Sequence, residues 1–354
     1  MEIFSRLEEH EHEQLAFWSE PAVGYRGIIA IHDTTLGPAL GGTRFWSYES
    51  DEEAVVDVLR LSRAMTYKAA VMGLNVGGGK SVLIGDPRTP DREMIFRAHG
   101  RAIESLGGRY ITAEDVGTTA RDMEFVRMET EWVTGTPESS GDPSPLTAWG
   151  VFQGIRACLD ELHGTDQLEG RHVSIQGAGH VGYYLARYLT EVGAKITVAD
   201  IDEARAARIE EEFGADRVEP EEIYDVEADA FAPCALGGVL NDETLPRLRV
   251  DIVAGSANNQ LAEERHAAAL AEQDILYAPD YVINAGGLCS VYGELQGWTD
   301  EQARRTAGRI YETLRSIFRQ SRDEKIPTTA AADRLAEARI SRVRHLHRSR
   351  LRPG

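Results

Sequence analysis

The stretch from His172 to Asp200 constrains the fold of this chain more than any other. Its first residues, HVSIQ, are typical of a short strand, and a G-x-G-x-x-G pattern follows at once at Gly177, Gly179 and Gly182. A helical pattern comes next, and a second strand, KITVA, leads into Asp200. The glycine pattern alone is weak evidence. With a strand before it, a helix after it and an acid about 20 residues later, it predicts a dinucleotide-binding βαβ unit. A tight turn without a ligand is the alternative.

The same stretch indicates which dinucleotide the unit would bind. Glycines let the backbone approach a pyrophosphate, which would lie against the partly positive N-terminus of the following helix. Asp200 would accept hydrogen bonds from the adenosine ribose hydroxyls and repel a 2′-phosphate, which favours NAD over NADP. The cofactor contacts predicted in this loop are Gly177, Ala178, Gly179, His180, Val181 and Gly182.

The rest of the C-terminal half predicts a doubly wound parallel sheet, because short apolar strands alternate with helical patterns. The strands are ADAFAPCA, VDIVAGSA and ILYAPD, the helices lie near 203–213 and 261–273, and two more helices end the chain. A run rich in Pro, Gly and Ser, Thr136 to Pro145, is the most linker-like segment, and the helix TAWGVFQGIRACLDEL follows it. We therefore predict an α/β protein with domains at 1–145 and 146–328 and a C-terminal helix, 329–354, that packs back on the first domain.

The N-terminal half also reads as α/β. A capping box of Ser50 and Glu53 opens a helix that runs to about Met72. The later elements are a strand SVLIGD, a helix DREMIFRAHGRAIESL, a strand RYITAEDVG with an acidic pair at Glu114 and Asp115, a helix ARDMEFVRMET and an extended EWVTG.

The stretch GLNVGGGKSVL resembles a phosphate-binding P-loop at first sight. A P-loop places a glycine six positions before its lysine and follows a strand. Six positions before Lys80 is Leu74, and a helical pattern leads in, so both the spacing and the context exclude a P-loop.

Lysine is scarce in this chain. Of 38 basic residues only four are lysines, and two of them, Lys68 and Lys80, lie within twelve residues. Arginine stays protonated, whereas a buried lysine can give up its proton. A proton-transfer step can therefore require a lysine, whereas either residue can keep a surface charged and soluble. Chance is the alternative explanation for their closeness.

The formal net charge of −20 excludes whole classes of partner, because no basic stripe exists to meet nucleic acid or an anionic membrane. No run of about 18 apolar residues predicts a transmembrane helix, and the polar N-terminus does not predict a signal peptide. Three widely spaced cysteines form neither a zinc pattern nor a disulfide framework, which indicates a reducing cytoplasm. The segment EEHEHE is interpreted as a solvated acidic surface, and no metal site is predicted.

Long motifs relate the sequence to a known family. It resembles the amino-acid dehydrogenases of the glutamate, leucine, valine and phenylalanine type, most nearly the leucine members, over almost the whole chain. The motifs are AIHDTTLGPALGGTRFW, MTYKAAVMGLNVGGGK, GRYITAEDVGTT, SSGDPSPLTAWGV, GSANNQL and APDYVINAGG. The resemblance implies a homo-oligomer, dimer-based and possibly a hexamer or octamer, with an active site between its domains. It also implies reversible, NAD-dependent deamination of a branched-chain amino acid to a 2-oxo acid and ammonium.

The resemblance also implies roles for individual residues. Lys80 would activate the water that attacks the imine, and burial beside Lys68 would bring its pKa toward roughly 7–8. Asp115 would exchange protons with the amino group, while Lys68 and Asn284 would pair with the α-carboxylate. The remaining implied contacts are Gly41, Gly42, Leu40, Ala113 and Val291 to the substrate, and Thr147 and Asn258 near the nicotinamide.

Two of these positions bear on the substrate side chain. Glutamate-specific relatives carry a lysine and a serine where this chain has Leu40 and Val291, and an unpaired carboxylate buried there would be costly. An apolar side chain is therefore expected. The stretch LCSVYGEL departs from the usual leucine pattern, which leaves leucine, valine, isoleucine and phenylalanine open as substrates.

A non-catalytic NAD sensor and a hydroxy-acid dehydrogenase are the alternatives in other functional classes. The hydroxy-acid dehydrogenase would need a His–carboxylate pair that the site motifs lack.

Overall fold

The computed structural model describes residues 2–137 and 141–350, and for 347–350 the backbone alone. Part of the predicted linker, 138–140, lies outside the described residues. The chain forms two compact units. Unit 1 comprises 1–141, 294–297 and 336–354, and unit 2 comprises 142–293 and 298–335.

Unit 1 contains a mixed five-stranded sheet in the order β1-β2-β4-β3-β5. Its elements are α1 (Ile3–Glu9), β1 (Gln14–Glu20), β2 (Tyr25–Asp33), β3 (Ala39–Trp46), α2 (Asp51–Val71), β4 (Gly77–Ile84), α3 (Arg92–Glu104), β5 (Tyr110–Glu114) and α4 (Ala120–Arg127). The strand β2 is antiparallel to β1 and β4, whereas β3 is parallel to β4 and β5. The elements from α1 to β3, which precede Ser50, were not predicted from the sequence.

Apolar side chains cover both faces of this sheet. On one face, Phe96 and Ile103 of α3 and Met123 of α4 are fully buried against the strands. On the other face, Val55 and Val58 of α2 pack against β2 and β4. The two faces are therefore covered by different helices, and Leu7 of α1 joins α2 on the second one.

The helix α2 begins as predicted, but its cap differs in detail. Ser50 Oγ accepts a hydrogen bond from the Glu53 backbone amide at 3.1 Å. The Glu53 carboxylate accepts from the amide of Glu49, one residue before the cap, at 2.7 Å. Only one of the two bonds of a capping box is therefore present as predicted.

The strand β4 begins earlier than predicted, at Gly77 instead of Ser81. A Cβ on Gly78 would overlap the backbone of Thr66 in α2, so glycine is required where the helix crosses the strand. Glycine weakens strand propensity, and the sequence therefore suggested a loop where packing imposes a strand. As a result, Lys80 lies in the middle of a strand.

Unit 2 contains a six-stranded parallel sheet in the order β11-β10-β9-β6-β7-β8, which confirms the predicted doubly wound fold. Its elements are α5 (Ser144–His163), β6 (His172–Gln176), α6 (His180–Glu191), β7 (Lys195–Ala199), α7 (Glu203–Phe213), β8 (Asp216–Arg217), β9 (Ala230–Pro233), β10 (Ile252–Val253), α8 (Arg265–Glu272), β11 (Leu276–Tyr277), α9 (Asp280–Ile283), α10 (Gly286–Leu295), α11 (Asp300–Gly308), α12 (Ile310–Glu324) and α13 (Thr328–Arg350).

The last three helices replace two predicted ones. The stretch expected as one helix near the C-terminus divides at Arg309 into α11 and α12. The short helices α9 and α10, on either side of Asn284 and Ala285, were not predicted.

The C-terminal part of α13 belongs to unit 1 and is held there by polar contacts. Tyr67 donates to Glu337 at 2.9 Å, and Arg339 donates to the Leu74 carbonyl at 2.7 Å. Arg344 pairs with Asp33 at 2.6 Å. None of the helices in the described ranges has both the length and the apolar character that a membrane span requires.

Candidate active site

Three parallel strands of unit 1 place the predicted catalytic residues on one face of the sheet. Side chains alternate along a strand, so Lys80 shares the face of Val82, which packs against α2. Gly42 of β3 lies directly opposite Ala113 of β5, and Asp115 follows the end of β5. The α2 side of the sheet therefore collects Lys80, Asp115, Leu40, Gly42 and Ala113.

Lys80 and Asp115 form a buried ion pair. The distance from Lys80 Nζ to Asp115 Oδ2 is 3.0 Å, and the lysine side chain is only 6% exposed. Burial opposes ionisation of Asp115, but the charges of Lys80 and Arg44 outweigh it and lower the carboxyl pKa below its ordinary value. An anionic carboxylate is thus held against the amine that sequence reasoning singled out.

Arg44 was missed by sequence reasoning. Its Nε donates to Asp115 Oδ2 at 2.9 Å, and its Nη1 donates to Asp57 at 2.9 Å. Tyr48 donates to the same carboxylate of Asp57 at 2.8 Å. The only signal in the sequence was the position of Arg44 inside the quoted motif GGTRFW, because nothing in the composition separates it from the other arginines.

A network of hydroxyl groups lies on the opposite face of the same strands. Thr43 Oγ1 is hydrogen-bonded to Ser81 at 2.8 Å and to Thr112 at 2.6 Å, which ties β3 to both of its neighbours. His99 Nε2 lies 3.0 Å from Thr43 and 3.1 Å from Ser81, and its Nδ1 lies 3.0 Å from the Tyr25 hydroxyl. The network fixes the positions of Thr43 and Ser81, each of which directly precedes or follows a site residue in its strand.

The site glycines allow close approach between strands. A Cβ on Gly41 would overlap the Gly79 carbonyl, and one on Gly42 would overlap the Glu114 carbonyl. Lys68 is half-buried in the last turn of α2.

In unit 2, the loop from Gly177 to Gly182 has the properties that a dinucleotide phosphate needs. Gly177 has a φ of +102°, which favours glycine, and a Cβ on Gly182 would overlap the Gly177 carbonyl. A Cβ on Gly179 would meet nothing within 4 Å, so this side of the loop is open to a ligand. No side chain caps the N-terminus of α6, and its amides can face an anion. The residues therefore fit the dinucleotide.

Asp200 lies beside this loop, as predicted for a ribose-binding acid. Its Oδ2 accepts a hydrogen bond from the Ala178 amide at 2.6 Å, and its Oδ1 accepts from Asp202 at 2.8 Å. Each oxygen retains a lone pair for a further donor. His180 is exposed and pairs with Asp142 at 3.0 Å, while Val181 is half-buried in the first turn of α6.

Three further predicted residues meet near the start of α10. Asn284 donates to the Ser256 carbonyl at 3.1 Å and to Asn258 Oδ1 at 2.7 Å, while its own Oδ1 is buried with no partner among the described residues. A Cβ on Gly287 would lie 3.0 Å from Thr147 Oγ1. Thr147, Asn258 and Asn284 therefore surround one corner of unit 2, and Val291 lies half-buried further along α10.

Two groups of side chains that include histidine were considered as metal ligands. In the N-terminal segment, His12 is buried and lies 3.0 Å from the Leu59 carbonyl, so the expectation of a fully solvated segment is wrong at this residue. Elsewhere among the described residues, Asp242, Glu263 and His266 are close enough to share an ion. Arg265 pairs with both carboxylates, and His266 Nδ1 already accepts the Glu263 amide at 3.0 Å. An internal ion-pair cluster accounts for this group.

The chain is similar to known dehydrogenases over nearly its whole length. The model of the Glu/Leu/Phe/Val dehydrogenase dimerisation domain matches 12–132, and that of the glutamate/leucine/phenylalanine/valine dehydrogenases matches 140–204 and 197–348. The leucine dehydrogenase of Geobacillus stearothermophilus is 54% identical over 97% of this chain and 95% of its own length. That of Bacillus cereus is 52% identical over 100% and 98%. The crystal structure of L-tryptophan dehydrogenase from Nostoc punctiforme superposes with a TM-score of 0.87 at 44% identity, covering 97% of this chain and 99% of that one.

Proposed function

This chain belongs to the Glu/Leu/Phe/Val dehydrogenase family, and from that premise we propose that it deaminates branched-chain L-amino acids with NAD. The amino acid, NAD⁺ and water give the 2-oxo acid, ammonium, NADH and a proton, and the reaction is reversible. The observation that carries the proposal is the buried Lys80–Asp115 pair at 3.0 Å, on the sheet face that also holds Leu40, Gly42 and Ala113.

The proposed roles follow from the charge and position of each side chain. Asp115, held as an anion, accepts a proton from the substrate ammonium and so frees the amine lone pair. The loop from Gly177 to Gly182 and Asp200 would hold NAD, which would supply the acceptor for the hydride of the substrate α-carbon. Lys80, 3.0 Å from Asp115, acts as the general base that removes a proton from the water attacking the resulting imine. Asp115 returns its proton to the amino group, which then leaves as ammonia.

The α-carboxylate is assigned to Lys68 and Asn284. Lys68 supplies a cation from the last turn of α2. Both amide protons of Asn284 are engaged by Ser256 and Asn258, so one of these bonds must open when a carboxylate arrives. Gly41 and Gly42 let the substrate lie close to the sheet.

The cofactor is proposed to be NAD, held by the loop from Gly177 to Gly182 and by Asp200. The carboxylate of Asp200 suits ribose hydroxyls and repels a 2′-phosphate. Thr147 and Asn258 are placed at the nicotinamide end. In this assignment the stretch 146–328 is the NAD-binding domain and 1–145, with the helix 329–354, is the substrate-binding and oligomerisation domain.

Leucine, with valine and isoleucine, is the proposed substrate class. Leu40 is 1% exposed and Ala113 is 7% exposed, so neither can solvate a substrate carboxylate. Relatives named for leucine, tryptophan and valine all act on apolar side chains, which is consistent with such a pocket. We further propose a cytoplasmic homo-oligomer, for which the description of 12–132 as a dimerisation domain and three cysteines without disulfides offer support.

The test is an amino-acid panel in which the formation of the reduced cofactor is followed by its absorbance. The panel contains leucine, valine, isoleucine, phenylalanine, tryptophan and glutamate, each with NAD and with NADP, and the reverse reaction uses the 2-oxo acids with ammonium. Reduction of NAD by the branched-chain amino acids and not by glutamate is the expected result. No reduction of either cofactor by any amino acid would favour a non-catalytic sensor.

A further inference from the structure

One oxygen of the Asp115 carboxylate, Oδ2, contacts both Lys80 and Arg44. Lys80 Nζ lies 3.0 Å from Oδ2, and Arg44 Nε donates to the same atom at 2.9 Å. Both cations therefore anchor the carboxylate through Oδ2.

Arg44 is itself held from its far end. Its Nη1 donates to Asp57 Oδ2 at 2.9 Å, and Tyr48 donates to that same oxygen at 2.8 Å. The side chain of Asp57 is 13% exposed and that of Arg44 is 21% exposed. Asp57 projects from α2 and Arg44 from β3, so two elements fix the guanidinium, and its planar fork loses little freedom in bridging them.

The two cations on Asp115 differ in one chemical respect. Lys80 gains and loses a proton in the proposed reaction, whereas a guanidinium keeps its charge throughout. Whenever Lys80 is neutral, Arg44 still donates to Oδ2 as a cation. Loss of both of these charges would leave a largely desolvated anion, which is costly.

We propose that Arg44 is a positioning residue that keeps Asp115 oriented in both protonation states of Lys80 and favours its anionic form until it accepts the substrate proton, and that Asp57 and Tyr48 hold Arg44 in place. The inference rests on the proposed function for the roles of Lys80 and Asp115. It adds a network of Arg44, Asp57 and Tyr48 that acts through Asp115.

The first experiment compares Arg44→Gln, Arg44→Lys and the wild type across pH. Arg44→Gln should lower kcat on the order of 100-fold, since a catalytic group loses its orientation. Its acidic limb of kcat/KM should move up by about one pH unit, because an aspartate beside an arginine has its pKa lowered by about 1–3 units. Arg44→Lys, which keeps the charge, should restore the position of the limb but only part of kcat.

Two other variants separate positioning from general damage. Asp57→Asn leaves both cations of Asp115 in place and should lower kcat less than Arg44→Gln does, with little change in KM for the amino acid. Arg97→Gln is the matched control, since Arg97 also bridges two carboxylates, Glu93 and Glu129, on the exposed surface of the same unit. Its profile should equal that of the wild type. An unmoved acidic limb in Arg44→Gln would overturn the proposal.

A second measurement needs no turnover. The melting temperatures of Arg44→Gln, Asp115→Asn and the double variant form a thermodynamic cycle at pH 7. Coupling between the two changes is expected, and additive effects would overturn the inference even if the enzyme proved inactive. Inactivity of the wild type on every amino acid, together with clear coupling, would instead overturn the proposed function and leave the anchoring of Asp115 by Arg44 supported.

Discussion

A lysine at position 80 can do what an arginine there could not. Both side chains could pair with Asp115, which lies 3.0 Å from Lys80 Nζ. Only the lysine can give up its proton at moderate pH and take another from water. The proposed general-base role would account for a lysine, in a chain that has only four, at a strand position where 6% of its side chain is exposed.

We therefore predict that Lys80→Ala and Lys80→Arg both lose turnover, by at least about 100-fold in kcat, the usual scale of general acid–base catalysis. NAD binding, measured by calorimetry, should persist because the predicted cofactor residues lie in unit 2. Lys195→Ala, at an exposed lysine, is the control and should keep full activity. Near-normal activity of Lys80→Arg at neutral pH would contradict the general-base role.

Residue types could be predicted here more readily than residue partnerships. Lys80 and Asp115 were singled out from motifs and from the scarcity of lysine, before any distance was known. Arg44 was not, because it is one of 34 arginines and its importance lies in a shared oxygen that no pattern encodes. The hydrogen-bonding role of His99 was not predicted for a similar reason, since its three hydroxyl partners come from β2, β3 and β4.

At the scale of elements, the glycines of the loop before α6 perform separable tasks. Gly179 faces open space, whereas Gly182 packs against the Gly177 carbonyl. We predict that Gly179→Ala folds normally but binds NAD weakly, because its new methyl group occupies the approach of the phosphate. Gly182→Ala should instead lose about 1–3 kcal/mol of stability through overpacking. Paired thermal melts and NAD titrations measure both effects, and equal melting losses in the two variants would contradict the division of tasks.

His99, which is buried on the sheet face opposite Lys80, leads to a prediction of how the stability of the protein depends on pH. Burial lowers the pKa of His99 from 6.5 to about 3. Between these values the unfolded chain takes up a proton that the folded chain refuses, so stability is full above about pH 6.5 and declines as the pH falls toward 3. Melting temperatures from pH 7 to pH 4.5 should fall less steeply in His99→Gln than in the wild type. His163→Gln, at an exposed helix end, should keep the wild-type slope, and parallel slopes for all three proteins would contradict the assignment.

Element boundaries were predicted well where caps and periodicity decide them and poorly where packing does. The unit from β6 to β7 follows the sequence closely, because each of its turns requires a particular residue type. The start of β4 does not, since its glycines are explained only by the closeness of α2. The division of the last helical stretch at Arg309 directly follows Gly308, but a single glycine inside a helical pattern does not by itself predict a break.

At the scale of the whole molecule, composition carries a prediction that the fold does not. There are 58 acidic and 38 basic residues, so even complete pairing leaves a large excess of carboxylates. Many arginines are already paired at the surface, as Arg88 is with Asp86, and exposed pairs contribute little each. The excess repels itself over about 10 Å at 0.1 M salt and about 30 Å at 0.01 M, which disfavours the compact state and the assembly of subunits.

Salt should therefore stabilise this protein. Molar salt shortens the range of repulsion to about 3 Å, and the exposed ion pairs that it also screens contribute little stability, so the melting temperature and the assembled fraction should both rise from low to molar KCl. The measurement is a thermal melt and a sizing run across that series, with sucrose at matched osmolality as the control for solute exclusion. A GC-rich genome would also replace lysine with arginine, but it would not by itself produce a net charge of −20. If the melting temperature and the oligomer size stay constant from about 0.05 to 2 M, a range over which screening of exposed charges changes several-fold, the acidic surface has no role in stability.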